Sequence, residues 1–144
     1  MNEQNYSNHR RYVPLYHFIT SFIIVVLFVT SIYYTIAAAV NHLSMRPGLF
    51  LFLISVVLIS LFWYARSFAE IVQDRVIRME ENFRSFLLTG KPLDKKLTLQ
   101  QIIGLRFASD EEFPELAAKA LNENMSREDI KKAVKNWRAD NYRC

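Results

Sequence analysis

Two stretches of this chain carry no ionised side chain, and no other feature limits its fold as much. Between Tyr12 and Met45 there is no Asp, Glu, Lys or Arg, and between Pro47 and Ala65 there is again none. Only Glu3 among the acidic residues precedes Ala65, and only Arg10, Arg11 and Arg46 among the basic ones do. The overall content, 51% hydrophobic and 22% charged, is that of a soluble domain and hides this segregation. The first half of the chain needs an apolar solvent, and the second half needs water.

The first run, Pro14 to Val40, is longer than the roughly 20 residues a helix needs to cross the hydrocarbon of a bilayer. The second, Pro47 to Ala65, would be about 29 Å long at 1.5 Å per residue. Too little polar surface remains in 144 residues to cover both as core helices. An uncleaved span also suits the first run better than a signal peptide, whose apolar stretch is only about 7–15 residues. The expected order is a polar tail over 1–13, a first transmembrane helix over 14–40 and a short external loop over 41–48. A second transmembrane helix then starts near 49. The short loop forces an antiparallel hairpin. Tyr16, Tyr33, Tyr34, Trp63 and Tyr64 suit the two interfaces. Arg10 and Arg11 before the hairpin, with Arg66, Arg75 and Arg78 after it, place both termini in the cytoplasm by the positive-inside rule.

The second helix has no reason to stop at the membrane. Phe68, Val72, Val76, Met79, Phe83 and Phe86 recur at intervals of four, four, three, four and three, the spacing of one helical stripe. Asp74–Arg78 and Glu80–Arg84 are i,i+4 pairs with the acid first. Gly90 and Pro92 mark the end. One helix over 49–89, roughly 60 Å long, would cross the bilayer and continue as a cytoplasmic stalk. Its stripe is covered by the rest of the chain, by a second copy across a parallel dimer seam, or by the membrane surface if the stalk lies along it as a basic amphipathic helix, an option its acidic residues weaken.

Residues 90–144 read as a small helical piece. Thr98 and Gln101 form a capping box, with Leu97 and Ile102 as its hydrophobic staple. Ser109 and Glu112 suggest a second box, although Pro114 favours a start at Pro114 itself. Phe113, Leu116, Ala117, Ala120 and Leu121 share one face. Ser126 opens the last helix, with Ile130, Val134 and Trp137 as its buried stripe and Lys131, Lys132, Lys135 and Arg138 as a basic face. Such a piece buries barely enough surface to fold alone, so it is expected to pack on the stalk, a second copy or a partner.

Little in the sequence points to chemistry. His9, His17 and His42 have no cysteine or carboxylate at metal-ligand spacing, so no metal site and no cofactor are expected. The spans hold no ionisable group at mid-membrane, as a transporter would. Their Ser and Thr residues bond to their own backbone or join helices, with Ser31, Thr35 and Ala39 as a row of small side chains. No nucleophile–base pair and no phosphate-binding loop is readable, so no catalytic residue is assigned. The acidic start of the last helix, Glu128 and Asp129, would repel phosphate, which puts nucleic acid last among partners. The lipid bilayer comes first, then self-association or another membrane protein.

Three segments, "QNYSNHRRYVPLYHF", "LRFASDEEFPELAAKAL" and "IKKAVKNWRADNYR", occur in this order around the two spans. Together they resemble an uncharacterised family of small bacterial two-span membrane proteins, a domain of unknown function. The resemblance covers almost the whole chain. It implies an integral protein of a bacterial inner membrane and supplies no catalytic residues. Residues in these segments that folding does not obviously need are candidates for contacts: Asn5, His9, Arg11 and His17, then Arg138, Asp140 and Arg143. The expected whole is an all-α membrane protein: a two-helix transmembrane hairpin, a long cytoplasmic stalk helix and a small helical C-terminal piece. The function expected is that of a non-enzymatic scaffold or accessory subunit. The alternatives are a membrane-tethered binder of anionic lipid or nucleic acid through the basic last helix, and a small helper of a transport complex.

Overall fold

The computed structural model describes residues 4–8 and 12–140. Among them are five α-helices and no strand: α1 (Ser21–Val40), α2 (Arg46–Thr89), α3 (Leu99–Leu105), α4 (Phe113–Asn122) and α5 (Arg127–Ala133), with a π-helical turn, Leu15–Thr20, leading into α1. The described residues fall into two compact units. One comprises residues 12–68, the other residues 4–8 with 69–140. The division lies within α2, three residues beyond Ala65, where the charge-free sequence ends.

In the first unit, the helices Leu15–Val40 and Arg46–Thr89 are each long and apolar enough to cross a membrane. Their large apolar side chains point outward: Phe22, Val29, Tyr33, Leu53 and Trp63 are all exposed. What is buried is small and polar. Ser31 and Ser55 are almost fully buried, and each hydroxyl donates to a carbonyl of its own helix, Phe28 O and Phe52 O, at 2.7 Å. A methyl group at Gly48 would collide with the Thr35 hydroxyl, so glycine is what lets the two helices approach there. Phe28 meets Phe52 at 5.5 Å between ring centroids, and Tyr16 stacks on Phe62 at 4.3 Å. The seam of α1 therefore runs through Phe28, Ser31, Thr35 and Ala38. Ala39, expected in that row, is exposed, because i+3 from Thr35 lies nearer the seam than i+4 does at this end. The turn after α1 closes with Asn41 Nδ2 donating to Ala37 O and His42 in the left-handed region at φ 55°. His42 thus serves a helix end.

In the second unit, α3, α4 and α5 enclose a core centred on Ile102, Leu105, Phe107, Phe113, Ala120 and Ile130. α3 packs mainly on α5, and Gly104 sits against the Arg127 carbonyl and Ile130. The Thr98 capping box forms in both directions. Gln101 does more than cap, since its amide also donates to Ala120 O and Met125 O, each at 3.1 Å. Ser126 caps α5 by accepting from the Asp129 amide. The second box forms only in half: Glu112 accepts from the Ser109 amide, but α4 starts at Phe113 with Pro114 in its first turn. Proline tolerates that position because the amide it lacks has no partner in the helix there. At the end of α2, Gly90 has φ 72° and its amide donates to Phe86 O.

Candidate functional site

Two faces of α2 within the second unit differ in kind. One carries Ile77, Glu81, Arg84 and Ser85, all buried. Arg84 Nε donates to Asp110 Oδ1 at 2.7 Å, Nη1 to Glu81 Oε2 at 3.1 Å and Nη2 to Ala108 O at 2.7 Å. Its guanidinium also lies 4.5 Å from the centre of the Phe113 ring. A single planar cation with five donors can satisfy a helix neighbour, a loop carboxylate and a carbonyl together. Burial pushes the Glu81 carboxyl above its ordinary value, even though Arg84 draws it the other way. Desolvation outweighs the ion pair, the usual balance for a buried charge. The spacing pairs Arg84 with Glu80; the structure turns it instead to Glu81, one residue further into the interface.

The other face is the apolar stripe. Val72, Val76, Met79, Phe83 and Phe86 are 45–71% exposed, and Phe68, the last residue of the first unit, is exposed as well. Of the coverings left open by the sequence, the described residues of the chain do not supply the first: the helical piece packs on the Glu81–Arg84 face instead. Arg84, reaching Asp110 and the Ala108 carbonyl across the contact, holds that face, and the more apolar one is left outside.

Residues 4–8 of the first segment that carries the family resemblance meet the other two segments in this same unit. Asn5 organises a tight turn, its Oδ1 accepting from the Ser7 amide at 2.9 Å and the Ser7 hydroxyl at 2.6 Å. That turn presents Tyr6, whose hydroxyl donates to Glu128 Oε2 at 3.2 Å, while Gln4 Oε1 accepts from the Asp140 amide at 2.7 Å. Asp140 pairs with Arg106 at 3.2 Å. Trp137 packs on Phe107, and the Arg138 amide donates to Phe107 O at 2.8 Å. The Arg138 side chain is exposed. Asn5 and Asp140 thus have structural tasks. His9, Arg11 and Arg143 lie outside the described residues.

The last helix differs from its expected form. α5 ends at Ala133, and Val134 turns extended at ψ 122°. Lys135 and Asn136 donate their amides to the Glu112 carboxylate, and Trp137 pairs with Ala108 as an isolated bridge. External partners for these amides compete with the helix and stop it. Val134 and Trp137 are therefore inward-facing residues of an extended segment. There is no continuous basic helical face either, because Lys131 is buried, 3.0 Å from Glu128 and 5.9 Å from the Phe107 ring centre. Burial pushes the Lys131 ammonium down, whereas its bond to Glu128 holds that carboxyl below its ordinary value. Both shifts are downward but act oppositely on charge: the buried ammonium is made easier to neutralise, and the carboxylate at the rim is held ionised.

His17 belongs to the first unit. Its Nδ1 lies 3.1 Å from both the amide nitrogen and the carbonyl oxygen of Val13, and its Nε2 accepts from Arg66 Nη1 at 2.6 Å. Next to it, Tyr16 donates to Phe62 O at 2.6 Å. Among the described residues no three His, Cys, Asp or Glu side chains come together as metal ligands.

A family model matches residues 1–144, the whole chain. The chain belongs to the family of unknown function DUF6526. No curated protein and no solved structure matches it. In this DUF6526 chain, sequence reasoning missed Gln4, Tyr6, Glu81, Arg84, Arg106 and Lys131 as the residues that join the parts. Arg84 and Lys131 each carry a signal in hindsight, an acid at i−3 (Glu81 and Glu128). Tyr6 and Arg106 carry none, since their contacts join segments far apart in sequence.

Proposed function

We propose that this is a non-enzymatic integral membrane protein of the inner membrane of a bacterium. It crosses the bilayer twice and presents a cytoplasmic helical unit to a partner or to itself, as a scaffold or accessory subunit. Spans at 15–40 and 47–65 suit the outward-facing apolar side chains of both helices around a small, polar seam. That pattern is the reverse of a soluble core and is the usual packing of helices in lipid. Both termini lie on one side, which agrees with residues 4–8 being held by Glu128 and Asp140 in a single unit. An even number of crossings between them is the simplest way to allow this.

The observation that carries the presenting role is the exposed stripe from Val72 to Phe86, opposite a face already filled by the chain itself. Contiguous apolar surface of this kind marks an interaction site. A tagged full-length chain, extracted from its own membrane in mild detergent, tests the role by native mass spectrometry with peptide identification. The expected result is a defined complex, either multiples of the chain or a stoichiometric second protein. A bare monomer in several mild detergents overturns it.

A further inference from the structure

We infer that the occupant of the exposed stripe is a second copy of this chain, joined in parallel and in register along residues 72–86. The inference rests on the reading above, in which two spans hold the chain in a membrane. Val72, Val76, Met79, Phe83 and Phe86 follow one another at intervals of four, three, four and three, which is the d, a, d, a, d sequence of a heptad. All five are exposed. At 3.6 residues per turn they fall within an arc of roughly 60–80°, and Ile77, Glu81 and Arg84 lie on the far side of the helix. That far side is engaged with Asp110, Ala108 and Phe113. The chain's own helical unit therefore covers one face and leaves the heptad seam to another molecule.

The flanks say which molecule. In this register Arg75 is a g position and Glu80 the e position that follows, and both are exposed. In a parallel pair, g of one helix faces the next e of its partner. Two copies in parallel therefore set Arg75 against Glu80 twice, by symmetry. In an antiparallel pair, g meets g and e meets e, which opposes Arg75 to Arg75 and Glu80 to Glu80. The remaining flanks, Gln73, Asn82 and Leu87, are uncharged and oppose neither arrangement. A basic flank facing an acidic one is self-complementary in one orientation only. Two copies inserted the same way in one bilayer already have that orientation. Their shared membrane raises the effective concentration, so a seam of about two heptads suffices where a soluble coiled coil needs three or four. A helix lying on anionic lipid would instead have basic residues on both flanks.

Cysteine cross-linking of the full chain in membranes tests this. In a Cys144→Ser background, single substitutions Val76→Cys and Phe83→Cys sit on the seam, and Arg78→Cys, exposed but off the stripe, is the control. Mild oxidation should give same-position dimers at both seam sites, at least tenfold above Arg78→Cys. Adding Arg75→Glu should cut the dimer about tenfold, and Arg75→Glu with Glu80→Arg should restore it. That rescue is a result a misfolded variant cannot give. A dimer at one seam site alone would indicate an antiparallel pair and overturn the inference. A seam cysteine cross-linked to a different polypeptide would also overturn it, while leaving the presenting role intact. Seam cysteines protected by lipid, without dimer, would overturn the second copy in favour of the membrane surface. Seam cysteines fully open to aqueous maleimide, with neither dimer nor partner, would overturn both the second copy and the presenting role.

Discussion

Arg84 joins three elements through one guanidinium, so its replacement should be felt beyond its own helix. Arg84→Met leaves Glu81 buried without a counter-charge and Ala108 O without its donor. Breaking a buried pair from one side costs about 3–5 kcal/mol, and the exposed Asp110 end makes the lower figure the better expectation. Arg84→Lys keeps the charge but not the fork of donors, and should recover only part of the loss. Urea unfolding of the full chain in nanodiscs, followed by Trp137 fluorescence in a Trp63→Phe background, measures both. A loss below about 1 kcal/mol for Arg84→Met would contradict the role given to it, since that is the range of an exposed pair. Glu81 makes a second prediction, about pH. Its folded pKa is above the ordinary 4.5, so the folded state holds the proton more tightly than the unfolded chain does. Its contribution to stability therefore falls as pH rises from 4.5 through the raised value, and is lowest at neutral pH. Glu81→Gln should flatten that part of the stability–pH curve. An unchanged slope would mean that another group sets it.

At the scale of elements, what could be read in the sequence was local. The Thr98 box, the Ser126 cap and the Gly90 stop are written in residues three or four apart, and each appears where the spacing puts it. The end of α5 was not legible, because Glu112, the group that captures the Lys135 and Asn136 amides, is more than twenty residues away. Which face of α2 the chain itself covers was left open by the sequence for a related reason. Periodicity ranks faces by hydrophobicity, but the interface chosen is held by an arginine whose partners come from a loop. Gly48 tests the packing of α1 against α2. Gly48→Ala adds a methyl where the Thr35 hydroxyl already sits. Overpacking of this kind costs about 1–3 kcal/mol, more than the gain of up to about 1 kcal/mol from better helix propensity. Amide exchange in the first turns of α2 should quicken about tenfold, equivalent to roughly 1.4 kcal/mol. Exchange slowed by the substitution would contradict the close approach at Gly48.

At the scale of the whole chain, charge segregation was the most informative property of the sequence. It separates residues 12–65 from the rest, and the two compact units divide close by, at Phe68. Docking of the polar N-terminus on the cytoplasmic helices, with Arg11 or His9 meeting Asp140 or Asp74, is an account the sequence offers; His9 and Arg11 lie outside the described residues, and nothing local in "QNYSN" singles out Tyr6 for Glu128 or Gln4 for the Asp140 amide. If the chain crosses a bilayer as proposed, residues 4–8 and 128–140, which touch, lie on one side of it. The measurement that tests the central claim most directly is side-specific labelling of single cysteines in intact, alkaline-washed membrane vesicles. In the Cys144→Ser background, Asn8→Cys, Ser44→Cys and Lys95→Cys would be probed with an impermeant maleimide. The chain should stay with the membrane pellet, with Asn8→Cys and Lys95→Cys labelled from the cytoplasmic side and Ser44→Cys from the other. Release by the wash, or labelling of Asn8→Cys and Lys95→Cys from opposite sides, would contradict the account.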